Sequence, residues 1–571
     1  MPRIGIFIDT LQGSIPASFQ KKISDFVKKL PETAFCVEEE NFASSDSLNR
    51  MGKALEAGGL DGVVIIGGSP KRYEASFQKL RHPLPVNPYL FAVANIREQA
   101  LWVTADEETA FEKAKAIISK TIYTVSNSKP IEAQSLPLKP EVMILGGGIT
   151  GISIAQELAK SGIHVFLVEK EPHLGGKALE LYRFYNRPLE VQKWMDEKIS
   201  DVKKNAQITL FTQTELKRVE GHLGRFQAKI QGSYGERETI LPVSAIVVAT
   251  GYMTRRETKG IYGHKRVAAL PEVEKLLAEA TGASLDWEGK KLEMVTYLLD
   301  GVNEDIKVDS INAVKQALLI QEAFQCQVAI LCKDVKVAAD GMERLYRKAR
   351  EKGVLFFKYE EAPKLSIVNG QIRADVKDTA AVQKRDQLSV SILSDLVVVS
   401  EAFVPTPETE RLSGVLKIHL GSRGFLMEDN PQLLRVRSNR RGIFVAGACR
   451  FPQEVSESLI EARAVAEEVV ALLSKGAYTY DLAVAEVDPE KCAVCYTCPR
   501  LCPHSAITVE RYGEKNVYIT SGTGQDKWGA AKVDPASCYG CGICVAECPA
   551  RAITLRHLTD AQIYAQMGLM E

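Results

Sequence analysis

No stretch of the 571 residues approaches the ~18 consecutive apolar positions a membrane-spanning helix needs, so no span is expected. Net charge is missing too. Lys and Arg number 72, Asp and Glu also 72, so the broad basic footprint of a nucleic-acid or anionic-membrane binder is absent. The opening residues, MPRIGIFIDT, read as a strand. They lack the apolar stretch and small-residue cleavage site of a signal peptide. The expected location is cytoplasmic, with peripheral docking on a membrane complex compatible with it. Cysteine is scarce over most of the chain, where only Cys36, Cys326, Cys332 and Cys449 occur, and then abundant: eight of the twelve lie between Cys492 and Cys548. In a reducing compartment such clustering points to metal or cluster ligands rather than disulfides.

The length calls for several domains. Residues 1–135 hold two apolar strand patterns, Ile4–Ile8 and Gly62–Ile66, and a helical pattern over Glu107–Ile118, which makes a small α/β domain. Ser126–Pro140, rich in Ser and Pro, reads as a linker. A second α/β region spans 136–290. A middle segment, 291–380, has strand patterns at Leu292–Leu299, Gln327–Leu331 and Val354–Tyr359. The chain returns over 381–475 through Asp395–Val399 and Gly442–Ala446 to a helix ending near Leu473, and 476–571 forms a cysteine-rich module. The doubled cysteine motif is the one internal repeat visible in the sequence.

Val142–Leu145, a buried-strand pattern, runs into Gly146-Gly147-Gly148-Ile149-Thr150-Gly151, followed by an apolar helix and a second strand, His164–Val168, ending in Glu169. Gly146 makes the tight turn, Gly148 lets the backbone approach a pyrophosphate, and Gly151 lets helix and strand pack closely. The helix N-terminus offers free N–H groups and a positive dipole end to the phosphates. Glu169 stands where an acid accepts hydrogen bonds from the adenosine ribose. A lone glycine fingerprint is weak evidence; this one has its strand, helix and acid in place. Two further segments resemble those of two-dinucleotide flavoproteins and favour FAD: Glu169–Lys177, with Lys170, Gly176 and Lys177 wrapping the cofactor, and Ala245–Gly251, where Thr250 and Gly251 close the domain. Gly442–Ala448 resembles their last strand. There the family often has Gly-Asp to hold the ribitol, whereas this chain has Gly447-Ala448, so that contact must come from backbone or from another residue. The alternative for these strands is plain Rossmann core.

The middle segment, where such flavoproteins bind NAD(P)H, runs into Leu299-Asp-Gly-Val-Asn-Glu304 with no second fingerprint. Lys177–Glu190 contains no cysteine, which excludes the redox-cysteine chemistry of disulfide reductases of this fold. No acid–base or nucleophilic constellation is evident, so the redox groups are the catalytic machinery.

Cys492-x₂-Cys495-x₂-Cys498-x₃-Cys502-Pro503 is followed by Cys538-x₂-Cys541-x₂-Cys544-x₃-Cys548-Pro549. This is the bacterial two-cluster ferredoxin run, in which the fourth cysteine of each motif ligates the other cluster. The expected sets for two [4Fe–4S] clusters are Cys492, Cys495, Cys498 and Cys548, and Cys538, Cys541, Cys544 and Cys502. Zinc would call for separated pairs in tetrahedral sets instead. Cys36, Cys326 and Cys332 read as packing residues; Cys449, after the closing strand, reads as packing or as a neighbour of the cofactor. Tyr89, Phe91 and Trp102 read as core or interface residues, since no basic cluster accompanies them.

Asn87–Gln99 with Trp102, Arg440–Cys449 and Gly251-Tyr252 closely resemble segments of the A subunit of heterodisulfide reductase, so the resemblance spans almost the whole chain. That family includes flavin subunits of quinone-interacting oxidoreductase complexes. The resemblance implies an α/β chain with a small N-terminal domain, a two-dinucleotide-binding, thioredoxin-reductase-like FAD domain and a C-terminal two-cluster ferredoxin (α+β) domain. It implies an oxidoreductase component of a heterodisulfide-reductase-like complex, passing electrons from FAD through the clusters, in some members by flavin-based bifurcation. Implied partners are cysteine-rich reductase subunits and hydrogenase, formate-, NADH- or quinone-linked modules. The departures matter. Family cysteines near the first strand and before Ser-Pro are replaced by Phe7–Gly13 and Gly68-Ser69-Pro70, a further cysteine segment by Leu181–Tyr185, and the internal ferredoxin insert is missing between Gly232 and Pro242. The rival readings are a self-sufficient NAD(P)H-dependent iron–sulfur flavoprotein reductase and a structural adaptor.

Overall fold

The computed structural model describes residues 2–42, 44, 46–47, 50–53, 59–73, 87–187, 189–232, 238–299, 306–380, 388–511, 519–520, 526–527 and 529–567. These fall into two compact units, Pro137–Tyr478 and a second built from two separated stretches, Met1–Leu136 with Thr479–Glu571. The second unit joins what the sequence reads as separate domains, 1–135 and 476–571.

The N-terminal part is a parallel sheet of β1 (Ile4–Asp9), β2 (Thr33–Glu39), β3 (Gly62–Gly67) and β4 (Phe91–Asn95), ordered β2-β1-β3-β4. β1 and β3 are buried at every position, which explains their near-continuous apolar sequences: helices cover both faces of such sheets. Helix α1, Glu107–Ser126, is capped by Asp106, whose carboxylate accepts from Thr109 N, and packs Ala110, Ala114, Ile118 and Ile122 inward at helical spacing. At the carboxyl end of β1, buried Asp9 accepts from the Tyr73 hydroxyl (2.8 Å) and from Leu11 N, while Gly68 N donates to the same hydroxyl. This corner, where the resemblance places cysteines, is thus filled by a closed polar network. The expected linker also differs: Ala133–Pro137 is a strand, because proline is tolerated at strand ends and edges.

The larger unit contains two sheets of the same design. The first is ordered β14-β8-β5-β6-β7 and all parallel: β5 (Glu141–Leu145), β6 (His164–Val168), β7 (Ile208–Phe211), β8 (Ala245–Val248) and β14 (Ile443–Val445). The second is ordered β9-β13-β10-β11-β12: β9 (Val267–Ala269), β10 (Met294–Leu298), β11 (Gln327–Cys332), β12 (Leu355–Lys358) and β13 (Leu396–Val399). Each sheet places its founding strand, β5 or β10, centrally and follows it with a helix, α2 (Ile149–Lys160) or α4 (Ile306–Ala323). Four strands of each sheet share one order around that founding strand, while the fifth differs, β14 being the last of its sheet in the chain and β9 the first of its own; ladder hydrogen bonds and burial preserve this much without preserving residues.

The topology corrects two boundaries. The middle domain reaches back to β9 and forward to β13, beyond the expected 291–380, and Asp395–Val399 belongs to it rather than to the return of the first sheet. Both sheets need short, fully buried valine-rich strands, so composition cannot assign one. Asp395 anchors this strand: its carboxylate accepts from Lys290 Nζ (2.7 Å), Glu293 N, Met294 N and Gln371 Nε2. Burial pushes its acidity the other way, but the Lys290 ammonium and these donors prevail and hold the carboxyl down from 3.8 to about 2. A depressed folded value contributes stability that is complete above pH ~4 and is lost as pH falls toward 2. Asp395→Asn is accordingly expected to cost about 2 kcal/mol at pH 7. In urea titrations the gap to the wild type should close below pH ~4.

Helix α3 (Leu270–Glu279) follows β9, and α5 (Val455–Leu473) follows the closing strand. The C-terminal module pairs β15 (Ala485–Val487) with β18 (Ile553–Leu555), and β16 (Ile507–Arg511) with β17 (Gly529–Val533), both antiparallel. Helix α6 (Asp560–Met567) packs on α1, with Gln562 Nε2 donating to Ser128 Oγ, and the Tyr89 hydroxyl donates to Asp481. Tyr89 is therefore an internal contact of this unit.

Candidate functional site: a dinucleotide cleft and two cysteine sets

At the carboxyl end of β5 the chain turns through Gly146, at φ +104°, and a Cβ there would collide with the Ala249 carbonyl oxygen. Gly151, in the first turn of α2, lies so close beneath it that a Cβ would run into Gly146 O. Gly148 is the opposite case: nothing lies within 4 Å of where its Cβ would be, so its backbone edge is open. These three positions leave the N-terminus of α2 exposed to a cleft of about 540 Å³. Gly146, Gly148, Ile149 and Thr150 line it, with Glu169, Lys170, Gly176 and Lys177 on one side and Thr250, Gly251 and Ala448 on another. Gly151 and Gly447 shape it from behind; a Cβ on Gly447 would meet Thr150 Oγ1 at 2.5 Å. Gly151→Val is expected to displace the turn and abolish dinucleotide retention, checked by visible absorbance of the purified chain.

The donor set suits a dinucleotide. Glu169 is buried at the end of β6 and accepts from Gly147 N (2.5 Å) and Glu171 N (2.9 Å), which fixes its carboxylate with lone pairs to spare for hydroxyl donors. Thr250 Oγ1 and Gln453 Oε1 are buried beside the cleft and find no hydrogen-bond partner among the described residues. Buried polar atoms are rarely left so, and a bound group with hydroxyl and N–H functions would satisfy both.

The cleft also holds residues to which the sequence reading gives no place in it. Tyr252 stacks at a tilt on Phe403, ring centroids 4.7 Å apart, and both line the wall. Lys315 on α4 forms an ion pair with Glu274 on α3 (2.7 Å), their side chains only 5% and 2% exposed. Glu274 also accepts from Tyr182 N and Gln316 Nε2, and Lys315 donates to Arg183 O. In sequence both ions sit among ordinary amphipathic helix positions, and no local signal marks them. Cys449 does not face the cleft: it is packed in the core of the first sheet, donates to Ala446 O and Val248 O, and burial pushes its thiol up to about 12. Cys326 and Cys332 are buried; Cys36 is half-buried, and burial raises it to about 11.

In the C-terminal module, Cys502, Cys538, Cys541 and Cys544 line one small cavity with Pro503, His504 and Tyr539. Burial first, then the neighbouring charges of Cys538, Cys502 and Cys541, raise Cys544 to about 11. Cys498 is raised likewise by burial and then by Cys492, Cys495 and Cys548. Cys502 of the first motif thus shares a cavity with the three leading cysteines of the second, and Cys548 of the second is among the neighbours of Cys498. Backbone N–H groups already point at the sulfurs: Ala506 to Cys502, Ala531 to Cys492, Gly540 to Cys538 and Ala552 to Cys548, at 3.3–3.4 Å. Such bonds stabilise thiolates and tune cluster potentials.

Residues 144–186 match the family described as an NAD(P)-binding Rossmann-like domain, and residues 491–552 match a 4Fe-4S dicluster domain. The chain is 26% identical to the second iron-sulfur A subunit of CoB–CoM heterodisulfide reductase from Methanopyrus kandleri, over 90% of this chain and 92% of the relative. It is 25% identical to the A subunit of H(2):CoB-CoM heterodisulfide,ferredoxin reductase from Methanothermobacter thermautotrophicus, over 91% and 92%. A solved thioredoxin reductase of Lactococcus lactis covers 59% of this chain and 100% of its own at 16% identity and a TM-score of 0.40. Along nine-tenths of its length the chain is similar to the heterodisulfide reductase A subunits, and it is an oxidoreductase.

Proposed function

We propose that this chain is the FAD- and iron–sulfur-dependent electron-transfer component of a heterodisulfide-reductase-like complex, with FAD in the glycine-edged cleft and two [4Fe–4S] clusters on the eight clustered cysteines. What supports this reading is the presence, in one chain, of a glycine-edged cleft with a fixed acid, Glu169, and of eight clustered cysteines, four of which line one cavity. Bound FAD supplies exchange of electrons in twos and ones, and clusters supply single-electron relay. The chain's own residues do the rest. Gly146, Gly148 and the N-terminus of α2 seat the pyrophosphate; Glu169 holds the ribose; Tyr252 and Phe403 wall the cleft against water; Cys492, Cys495, Cys498 and Cys548 hold one cluster, and Cys502, Cys538, Cys541 and Cys544 the other. Donor and acceptor come from other subunits of cysteine-rich reductase, hydrogenase, formate-, NADH- or quinone-linked type, in the cytoplasm. Among the described residues no helix is long and apolar enough to cross a membrane.

The NAD(P)H-dependent alternative needs a nucleotide site on the second sheet. Where β5 is followed by Gly146, β10 is followed by buried Leu299, whose carbonyl accepts from the Tyr359 hydroxyl. Asp300–Glu304 lie outside the described residues. The cysteine-free Leu181–Tyr185 loop, which lines the cleft, argues against a further cluster near the flavin, and with it against bifurcation by the family's usual route. Anaerobic purification with iron and flavin counting tests the reading. About eight irons and one FAD per chain, with cysteine-rich subunits co-purifying, is the expected result. Recovery of the chain alone, with a flavin that NADH bleaches, would establish the alternative.

A further inference from the structure

Gln453 precedes α5 at the inner wall of the cleft, 6% exposed. Its amide orientation is not free. Nε2 donates to Glu461 Oε2 (3.1 Å), and turning the amide over would set oxygen against carboxylate. Glu461 is itself held on both oxygens: Gly447 N donates to Oε2 (2.9 Å), and Arg450 donates to Oε1. Arg450 is buried and pairs on its other side with Glu428 (3.2 Å). The result is a chain of fixed contacts, Glu428–Arg450–Glu461–Gln453, ending in one oxygen with nothing to accept from. Gln453 Oε1 is buried and has no donor among the described residues. A buried acceptor locked in place and left unmatched costs stability unless something else supplies a proton.

From this geometry we infer that Gln453 is a cofactor-binding residue: its Oε1 accepts a hydrogen bond from a donor of the flavin half of FAD, a ribityl hydroxyl or the ring imide N–H. Ala448 has no side chain able to make a polar contact, and Gln453, a few residues further along the chain, lines the same cleft. Glu461 acts as the positioning residue. It fixes Gln453 and, through Gly447 N, the positive-φ turn (φ +73°) that ends the closing strand. This inference rests on the FAD reading above and deepens it.

The test is titration of the flavin-free full chain with FAD, followed by flavin fluorescence, for the wild type and Gln453→Met, which keeps length and removes the acceptor. The expected result is about a tenfold loss of FAD affinity in the variant, with the melting temperature of the flavin-free chain unchanged. Titration with 3-methyl-FAD separates the two donors. If it binds the wild type about tenfold more weakly and the variant no worse than FAD does, the donor is the imide. If it matches FAD in the wild type while the variant weakens both, the donor is a ribityl hydroxyl. Equal FAD affinity in wild type and variant would overturn the inference and leave the FAD reading standing. A loss matched by a large drop in the melting temperature of the flavin-free variant would assign Gln453 to the fold and overturn it as well. No FAD binding by the wild type would remove both.

Discussion

Lys315→Met is expected to destabilise the Pro137–Tyr478 unit by about 3–5 kcal/mol, because it leaves the Glu274 carboxylate charged, buried and without its counter-ion. The pair does more than neutralise itself. Glu274 on α3 takes hydrogen bonds from Gln316 on α4 and from the backbone of Tyr182, while Lys315 reaches the carbonyl of Arg183. Removing the cation therefore loosens the join between two helices and the loop that walls the cleft. Adding Glu274→Gln should restore much of the loss, since a neutral amide in that place still accepts from Tyr182 N and no longer carries charge. Denaturant unfolding of the two single variants and the double variant checks this: additive losses would mean the two ions act independently.

Cys502→Ser is expected to remove the cluster held by Cys538, Cys541 and Cys544, and to leave the one held by Cys492, Cys495 and Cys498. Iron would fall from about eight to about four per chain. The single variant alone cannot say which cluster went, but pairs can. Cys502→Ser combined with Cys541→Ser should cost no more iron than either alone, both residues serving one cluster. Cys502→Ser combined with Cys492→Ser should strip the chain of iron. The reverse pattern would mean that each motif closes its own cluster, against the cavity that Cys502 shares with Cys538, Cys541 and Cys544. FAD retention in all of these variants is expected, since the cysteines and the cleft belong to different compact units.

What could be read from the sequence is what chemistry forces into short, local spacing. The turn Gly146–Gly151 is legible because a Cβ at Gly146 or Gly151 collides with backbone, so no other residue serves. Cysteine ladders are legible because one cluster needs three sulfurs within a few residues of chain. Features that depend on distant segments were not legible. Asp395–Val399 could have joined either sheet, since both accept a buried apolar strand. The pairing of Lys315 with Glu274, and the fixing of Gln453 by Glu461, arise only when α3, α4 and α5 are in place, and each residue alone looks like a solvated helix position. The partial fold repeat escaped for a related reason: its second copy keeps the order of four strands while replacing the glycine turn's first residue with Leu299.

The unit made from two separated stretches has a consequence for biosynthesis. Its first stretch, Met1–Leu136, leaves the ribosome early, yet the helix Asp560–Met567 that packs on Glu107–Ser126 is made only after the whole of Pro137–Tyr478. At ordinary elongation rates the wait is on the order of tens of seconds. During that interval the cleft-bearing unit, which is contiguous in the chain, can fold to completion, while the nascent N-terminal sheet persists with the α1 face uncovered. The middle unit can therefore be complete before the cysteine-bearing segment has been made.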